Sequence, residues 1–190
     1  MDSVLIVSCM EKDTAFFAEL LSAASINHVT STKSVDNAQK LILQEDFDLV
    51  IVNAPLRDES GESFSRHIAS RGISQVILLV NNELFDSVSA VCEDDGVITI
   101  SKPVEKTVFL YALSLARSVQ NRIKQIRNEN VQLKQKIEDI RIIDRAKCLL
   151  ISIMKMNEQE AHKYIEKQAM DIRSTRRIVA EGILKLYENY

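Results

Sequence analysis

The sequence predicts a doubly wound α/β domain, then a long uninterrupted helix, then a small all-α module. Three observations carry this reading. Four short apolar runs, Val4–Val7, Leu49–Val52, Val76–Val80 and Val97–Ile100, punctuate the first hundred residues. The stretch from Val104 to Glu181 holds neither glycine nor proline, whereas residues 1–103 hold both prolines and three of the four glycines. Inside that stretch Ile123, Ile126, Asn130, Leu133, Ile137 and Ile140 alternate in steps of three and four.

The apolar runs are nearly continuous in β-branched residues and leucine, the pattern of strands buried on both faces of a parallel sheet. A weaker strand fits His28–Ser31. Between the strands lie helical patterns: Phe16, Phe17, Leu20, Leu21 and Ala24, then Ala38, Leu41 and Ile42, then Phe64 and Ile68. Alternating strands and helices give a doubly wound sheet whose ligands bind at the carboxyl ends of the strands. Pro103 suits the first turn of the helix that follows, where its missing N–H costs nothing. From there Val108, Leu110, Leu113 and Leu115 are expected to face the sheet.

The three-four spacing is the a/d seam of a coiled coil, extended upstream by Ala116 and Val119. A helix with such a seam needs a partner helix. A single Asn130 at an a position pairs well only with its own counterpart, which favours a parallel homodimer in one register. The flanking charges add little: Glu129 can meet Lys134, but Arg122 faces Arg127 and Lys136 faces Arg141. Packing of the stripe against its own chain is the alternative. Beyond Ile140 the seam breaks at Asp144 and Lys147. Ile142, Ile143, Ala146, Leu149, Leu150, Ile153 and Met154 then give a broader apolar face suited to a bundle. Asn157 and Glu160 form a capping box for a second helix ending near Met170. Ser174 is the expected cap of a third, carrying Ile178, Val179, Ile183 and Leu186.

Composition narrows the function. The chain has 190 residues, 46% of them apolar, without an 18-residue apolar run or a signal peptide, so a soluble cytoplasmic protein without membrane contact is expected. Cys9, Cys92 and Cys148 lack metal-ligand spacing and read as reduced, buried thiols. No nucleophile–base pair, metal cluster or phosphate loop is apparent, so neither catalysis nor a metal or other cofactor is expected. The net charge of −3 hides a split. Residues 1–116 hold 8 Lys+Arg against 17 Asp+Glu, and residues 117–190 hold 16 against 10, giving −9 and +6. A basic half of this kind suits an anionic partner such as nucleic acid.

At the strand ends, Asp48–Val52 leading into Asn53-Ala-Pro-Leu and Gly61, with Ser101-Lys102-Pro103 after the last strand, resembles the receiver domain of bacterial response regulators. The similarity covers roughly residues 2–118 and implies a flavodoxin-like sheet. In that family an acidic pair after the first strand binds magnesium, an Asp ending the third takes a phosphoryl group, a Ser/Thr ends the fourth, and a Lys before Pro contacts the phosphate. Here Lys102 and Pro103 remain, but Ser8 and Cys9 stand at the acidic-pair positions, Asn53 at the acceptor and Val80 at the hydroxyl position. An amide is no nucleophile toward phosphorus, and a Ser–Cys pair lacks the hard anionic oxygens that Mg²⁺ requires. The resemblance therefore implies a pseudo-receiver. Lys102 is expected to be structural, paired with Asp48 or the Asp94–Asp95 loop or capping strand ends. Glu11 and Asp13 suit a solvated helix start, with a shifted metal site as the alternative, and Asp58 and Glu59 suit a solvated loop.

A second resemblance rests on Asp144-Arg-Ala-Lys-Cys-Leu-Leu, Asn157-Glu-Gln-Glu-Ala161, Tyr164, Gln168-Ala-Met170 and Arg177-Ile-Val-Ala180. Over about residues 140–188 these are similar to the ANTAR domain, a family of RNA-binding antiterminators. Cys148 departs from the usual Gly, and Ile165-Glu166 from the usual Leu-Arg. The resemblance implies binding to paired hairpin loops of a nascent leader transcript, which prevents termination. Arg145, Lys147, Lys167, Arg173, Arg176 and Arg177 would donate to phosphates and base edges, and Tyr164 would stack on a loop base or serve the core. Lys163 and Lys185 read as solvated face. The expected domains are 1–118, a coiled-coil linker 119–141, and 142–190. Two rivals are a DNA-binding response regulator and a partner-sequestering protein. Against the first, the last helix opens with two arginines instead of an Asn/Gln-rich face. With phosphorylation lost, control by a separate ligand-sensing protein that occludes the basic half is the further expectation.

Overall fold

Alternate residues of the buried runs face opposite sides of the sheet, and the core divides accordingly. The computed structural model describes residues 1–187, and its chain forms two compact units, Met1–Gln125 and Ile126–Tyr190. The first contains β1 (Ser3–Ser8), α1 (Glu11–Ala23), β2 (His28–Thr32), α2 (Val35–Gln44), β3 (Leu49–Asn53), α3 (Glu62–Ser70), β4 (Gln75–Asn81), α4 (Phe85–Cys92) and β5 (Ile98–Lys102). The all-parallel sheet has the order β2-β1-β3-β4-β5. Val4, Ile6, Leu49, Ile51, Ile77 and Leu79 pack on one face with Phe17, Leu20 and Leu21 of α1. Leu5, Val7, Val50, Val52, Val76 and Leu78 pack on the other with α2, α3 and α4. This is the receiver-like doubly wound fold the apolar runs predict.

Helix α4 has no counterpart among the predicted patterns. Its eight residues bury only Val88 and Cys92. The start of α5 (Lys106–Met154) also differs in register. Phe109, Ala112, Leu113 and Ala116 enter the sheet core, while Val108, Leu110 and Leu115 are exposed. Ala116 therefore belongs to the α/β core and not to the seam. Pro103 precedes α5 by three residues instead of lying in its first turn.

At the amino-terminal edge of the sheet, Asp48 fastens α5. Its carboxylate accepts from Lys124 Nζ at 2.9 Å, Gln120 Nε2 at 3.4 Å and the Asp2 amide at 2.7 Å. Gln120, 2% exposed, also donates to the Ile73 carbonyl at 2.9 Å. Burial pushes the Asp48 carboxyl up, but the bonds from Lys124, the Asp2 amide and Gln120 outweigh it and hold it below the ordinary range. A depressed carboxyl stabilises the fold above its unfolded pKa and loses that contribution as pH falls through its folded value. Asp48→Asn is thus expected to lower stability at neutral pH by about 1–3 kcal/mol. The difference should vanish in acid, so denaturant titrations of the two proteins should converge as pH falls.

In the second unit the later part of α5 packs with α6 (Glu158–Asp171) and α7 (Arg176–Tyr187). Ala146 and Leu150, Ala161, Ile165 and Ala169, and Val179, Ala180, Ile183 and Leu184 form its core. Ile178 and Leu186 are exposed, as are Ile153 and Met154. The capping box is present: Asn157 Oδ1 accepts from the Glu160 amide at 2.9 Å and Glu160 Oε2 from the Asn157 amide at 2.8 Å. The cap of α7 is Thr175, one residue beyond the expected Ser174; its Oγ1 accepts from the Ile178 amide at 3.3 Å.

Candidate functional site

Strands β1 and β3 are neighbours, and their register sets Ser8 beside Asn53 at the carboxyl edge. Asn53 is 5% exposed. Its Nδ2 donates to Ser8 Oγ at 3.0 Å and to Asp13 Oδ2 at 2.7 Å. Asp13 therefore belongs to this pocket and is not merely a solvated residue opening α1. The reason is reach: the first turn of α1 lies over the end of β3. A cavity of about 320 Å³ is lined by Lys12, Asp13, Phe16, Asn53, Lys102 and Pro103.

Lys102 pairs with neither Asp48 nor the Asp94–Asp95 loop. Its Nζ donates to the Ala54 carbonyl, and burial lowers its pKa. Asp48 holds Lys124, and Asp95 holds Arg66 at 2.6 Å. Cys9 is half-buried beside the pocket, and its Sγ lies 3.7 Å from the Lys33 carbonyl. Val80 lies in the apolar core. The loop after β3 is held by side chains that read as solvated in sequence. Asp58 Oδ2 accepts from the Val35 and Asp36 amides at 2.7 and 3.2 Å, capping α2, and Glu59 Oε1 accepts from the Phe64 amide at 3.2 Å. Gly61, at φ 85°, completes that turn; a Cβ there would lie 2.9 Å from Val52 Cγ1. Among the described residues, no group of three His, Cys, Asp or Glu side chains is arranged to hold a metal ion.

The seam occupies the middle of α5. Ile126, Leu133, Ile137 and Ile140 are exposed in the single chain, Ile123 is half-buried, and Asn130 Nδ2 donates to the Ile126 carbonyl at 3.0 Å.

The basic residues of the second unit fall into two groups. Lys147, Arg176 and Arg177 lie around one cleft of about 480 Å³, with Lys136, His162 and Thr175. Lys147 Nζ lies 2.8 Å from Asp144 and 3.3 Å from Glu158. Arg176 pairs with Glu166 at 3.0 Å, and Arg177 with Asp139 at 2.6 Å and Glu181 at 2.8 Å. Asp144 first, then Glu158, raises the Lys147 pKa, and Asp139 raises that of Arg177. His162 is half-buried, 3.3 Å from Glu166. Lys167 and Arg173 lie outside the cleft and are exposed; Arg173 has φ 50° in the turn after α6. Tyr164 packs partly against the core. Arg145 lines a second cavity with Cys148 and Leu184. Cys148 is exposed, not buried, because it lies on the outer side of α5; Cys92 is buried, which pushes its thiol up.

A receiver-fold unit joined by a continuous helix to a three-helix basic unit defines a response-regulator class of protein, and sequence relatives agree. The ANTAR domain matches residues 131–184. The transcriptional regulatory protein PdtaR of Mycobacterium tuberculosis is 30% identical over 138 residues, covering 73% of this chain and 67% of PdtaR. This chain belongs to the ANTAR-domain, response-regulator-like transcription regulators of the antiterminator family. The fold has matching solved structures. The signal receiver domain of an HD domain-containing protein from Pseudomonas fluorescens Pf-5 has a TM-score of 0.58 at 24% identity, covering 65% of this chain and 92% of that one. The receiver domain of the TMAO respiratory system response regulator TorR has a TM-score of 0.55 at 18% identity, covering 63% and 99%. No helix among the described residues is long and apolar enough to cross a membrane.

Proposed function

We propose that this protein is a non-enzymatic, RNA-binding transcription antiterminator that acts as a homodimer. The observation that carries this reading is the ANTAR match on a unit rich in basic residues. In this reading the unit holds paired hairpin loops of a leader transcript through its cations, with Tyr164 available to an unpaired base. The central stretch of α5 joins two copies through its exposed seam. The α/β unit takes no phosphoryl group, because an amide bonded to Asp13 and Ser8 occupies the acceptor position. Control then falls to a cytoplasmic ligand-sensing protein that occludes the basic unit.

The test is a gel shift comparing duplex DNA with a two-hairpin RNA enriched from a random-loop pool by the full-length protein. Tight, salt-sensitive binding of the RNA with weak binding of the duplex is expected. Equal binding, or preference for the duplex, favours the DNA-binding alternative and sinks this reading.

A further inference from the structure

The six cations that the sequence nominates on α5, α6 and α7 and in the turn after α6 do not face the same environment once folded. Lys147, Arg176 and Arg177 each join two helices through carboxylates. Lys147 of α5 reaches Glu158 of α6, Arg176 of α7 reaches Glu166 of α6, and Arg177 of α7 reaches Asp139 of α5. The cations around the cleft are therefore already matched by carboxylates that they hold. An approaching phosphate would meet Asp139, Asp144, Glu158 and Glu166 as well as the cations, and each cation taken by RNA would leave a carboxylate without its partner. Such groups fasten helices together more readily than they recruit a polyanion.

The outer face of α6 is different. Lys163 and Lys167 stand four residues apart, one turn above the other on the same helical face. Arg173 follows in the turn that ends the helix. All three are exposed, and among the described residues none of them makes an ion pair. Beside them lie the half-buried ring of Tyr164 and the exposed Met170. Cations held in no ion pair next to an aromatic ring are the combination that single-stranded nucleic acid uses, phosphates on the cations and a base on the ring. We infer that the strip Lys163–Lys167–Arg173 on the outer face of α6 is the primary RNA contact of this protein. Lys147, Arg176 and Arg177 instead hold the three helices in place. This rests on the RNA-binding reading above, and it gives Lys163 a role that its sequence context does not.

The test uses full-length protein and the RNA enriched with it from the two-hairpin pool. Binding is measured by fluorescence anisotropy over a range of salt concentrations. Lys163→Gln with Lys167→Gln should weaken binding and make the log–log salt dependence shallower by about 1.4, roughly 0.7 for each lost phosphate contact on a single strand. Its thermal melt should match wild type. Arg176→Gln with Arg177→Gln should lower the melting temperature, and any loss of affinity should come without a change in slope. An unchanged slope in the α6 variant, or a shallower slope only in the α7 variant, overturns the assignment. If the wild-type protein enriches no RNA at all, the antiterminator reading fails and the strip falls with it, an outcome distinct from enrichment followed by the wrong variant responding.

Discussion

Asn53→Asp is expected to destabilise the α/β unit by about 2–3 kcal/mol without turning it into a phosphoryl acceptor. Restoring the acidic residue looks in sequence like a repair, but the pocket has been rebuilt around an amide. Asn53 Nδ2 donates to Asp13 Oδ2 at 2.7 Å and to Ser8 Oγ at 3.0 Å. A carboxylate has no N–H to donate, so the substitution sets two carboxylates at hydrogen-bond distance in a half-dry site. Such a pair titrates as a unit, with one proton held well above the ordinary carboxylate range. The sign follows from linkage: the folded variant binds more protons than its unfolded chain, so its stability falls as pH rises through that window. Lys102, which in a competent site would meet the phosphate, donates to the Ala54 carbonyl. Ser8 and Cys9 still supply no anionic oxygen. Thermal melts of variant and wild type across the weakly acidic to neutral range should diverge as pH rises. Intact-mass analysis after acetyl phosphate and magnesium should find neither protein modified. A labile phosphoryl adduct on the variant, or a variant as stable as wild type at neutral pH, would contradict this account.

The same pocket shows where sequence reasoning stops. Which residues stand at the strand ends was legible, because runs such as Val4–Val7 and Leu49–Val52 are apolar on both faces and have few other places to go. What those residues bond to was not. Lys102 finds the backbone carbonyl of Ala54, the first residue after β3, and Asp58 caps a helix 22 residues earlier in the chain. Neither partner leaves a local signal. The beginning of α5 misled for another reason. Residues 108–116 are apolar on nearly every side, so periodicity alone cannot choose a face. The buried Gln120, with Lys124 on Asp48, marks the face turned to the sheet. Helix α4 is too short, and buries too little, for its spacing to stand out.

Charge was legible as a total and illegible as an arrangement. A density of arginines at 173–177 reads as a contact cluster, since counting cannot reveal that Asp139 and Glu166 lie opposite two of them. The capping box at Asn157 and Glu160 is the counterexample. Both partners lie three residues apart, so the sequence carries the whole interaction, and the structure contains it.

Ile126→Lys and Leu133→Lys, made separately, are each expected to turn a dimeric protein into monomers. In the single chain Ile126 is 48% and Leu133 55% exposed, and both stand on the three-four stripe of α5 with Ile137 and Ile140, which are exposed as well. Burying one such side chain stabilises by about 1.5–3 kcal/mol, and two-fold symmetry counts each substitution twice. The lost burial alone weakens association by roughly a hundredfold to ten-thousandfold, at 1.4 kcal/mol per factor of ten. An ammonium forced against its own copy adds to this. Asn130→Val should act in the opposite direction. Its amide now donates to the Ile126 carbonyl of its own helix. In a paired seam an apolar residue there would strengthen association while removing the feature that fixes register and oligomer number. Sedimentation equilibrium of the full-length protein should find a wild-type dimer, monomers for both lysine variants, and a tighter or higher assembly for Asn130→Val. A dimer that survives both lysines places the interface away from this stretch of α5. A wild-type monomer at micromolar concentration would leave the exposed isoleucines without a second copy to cover them.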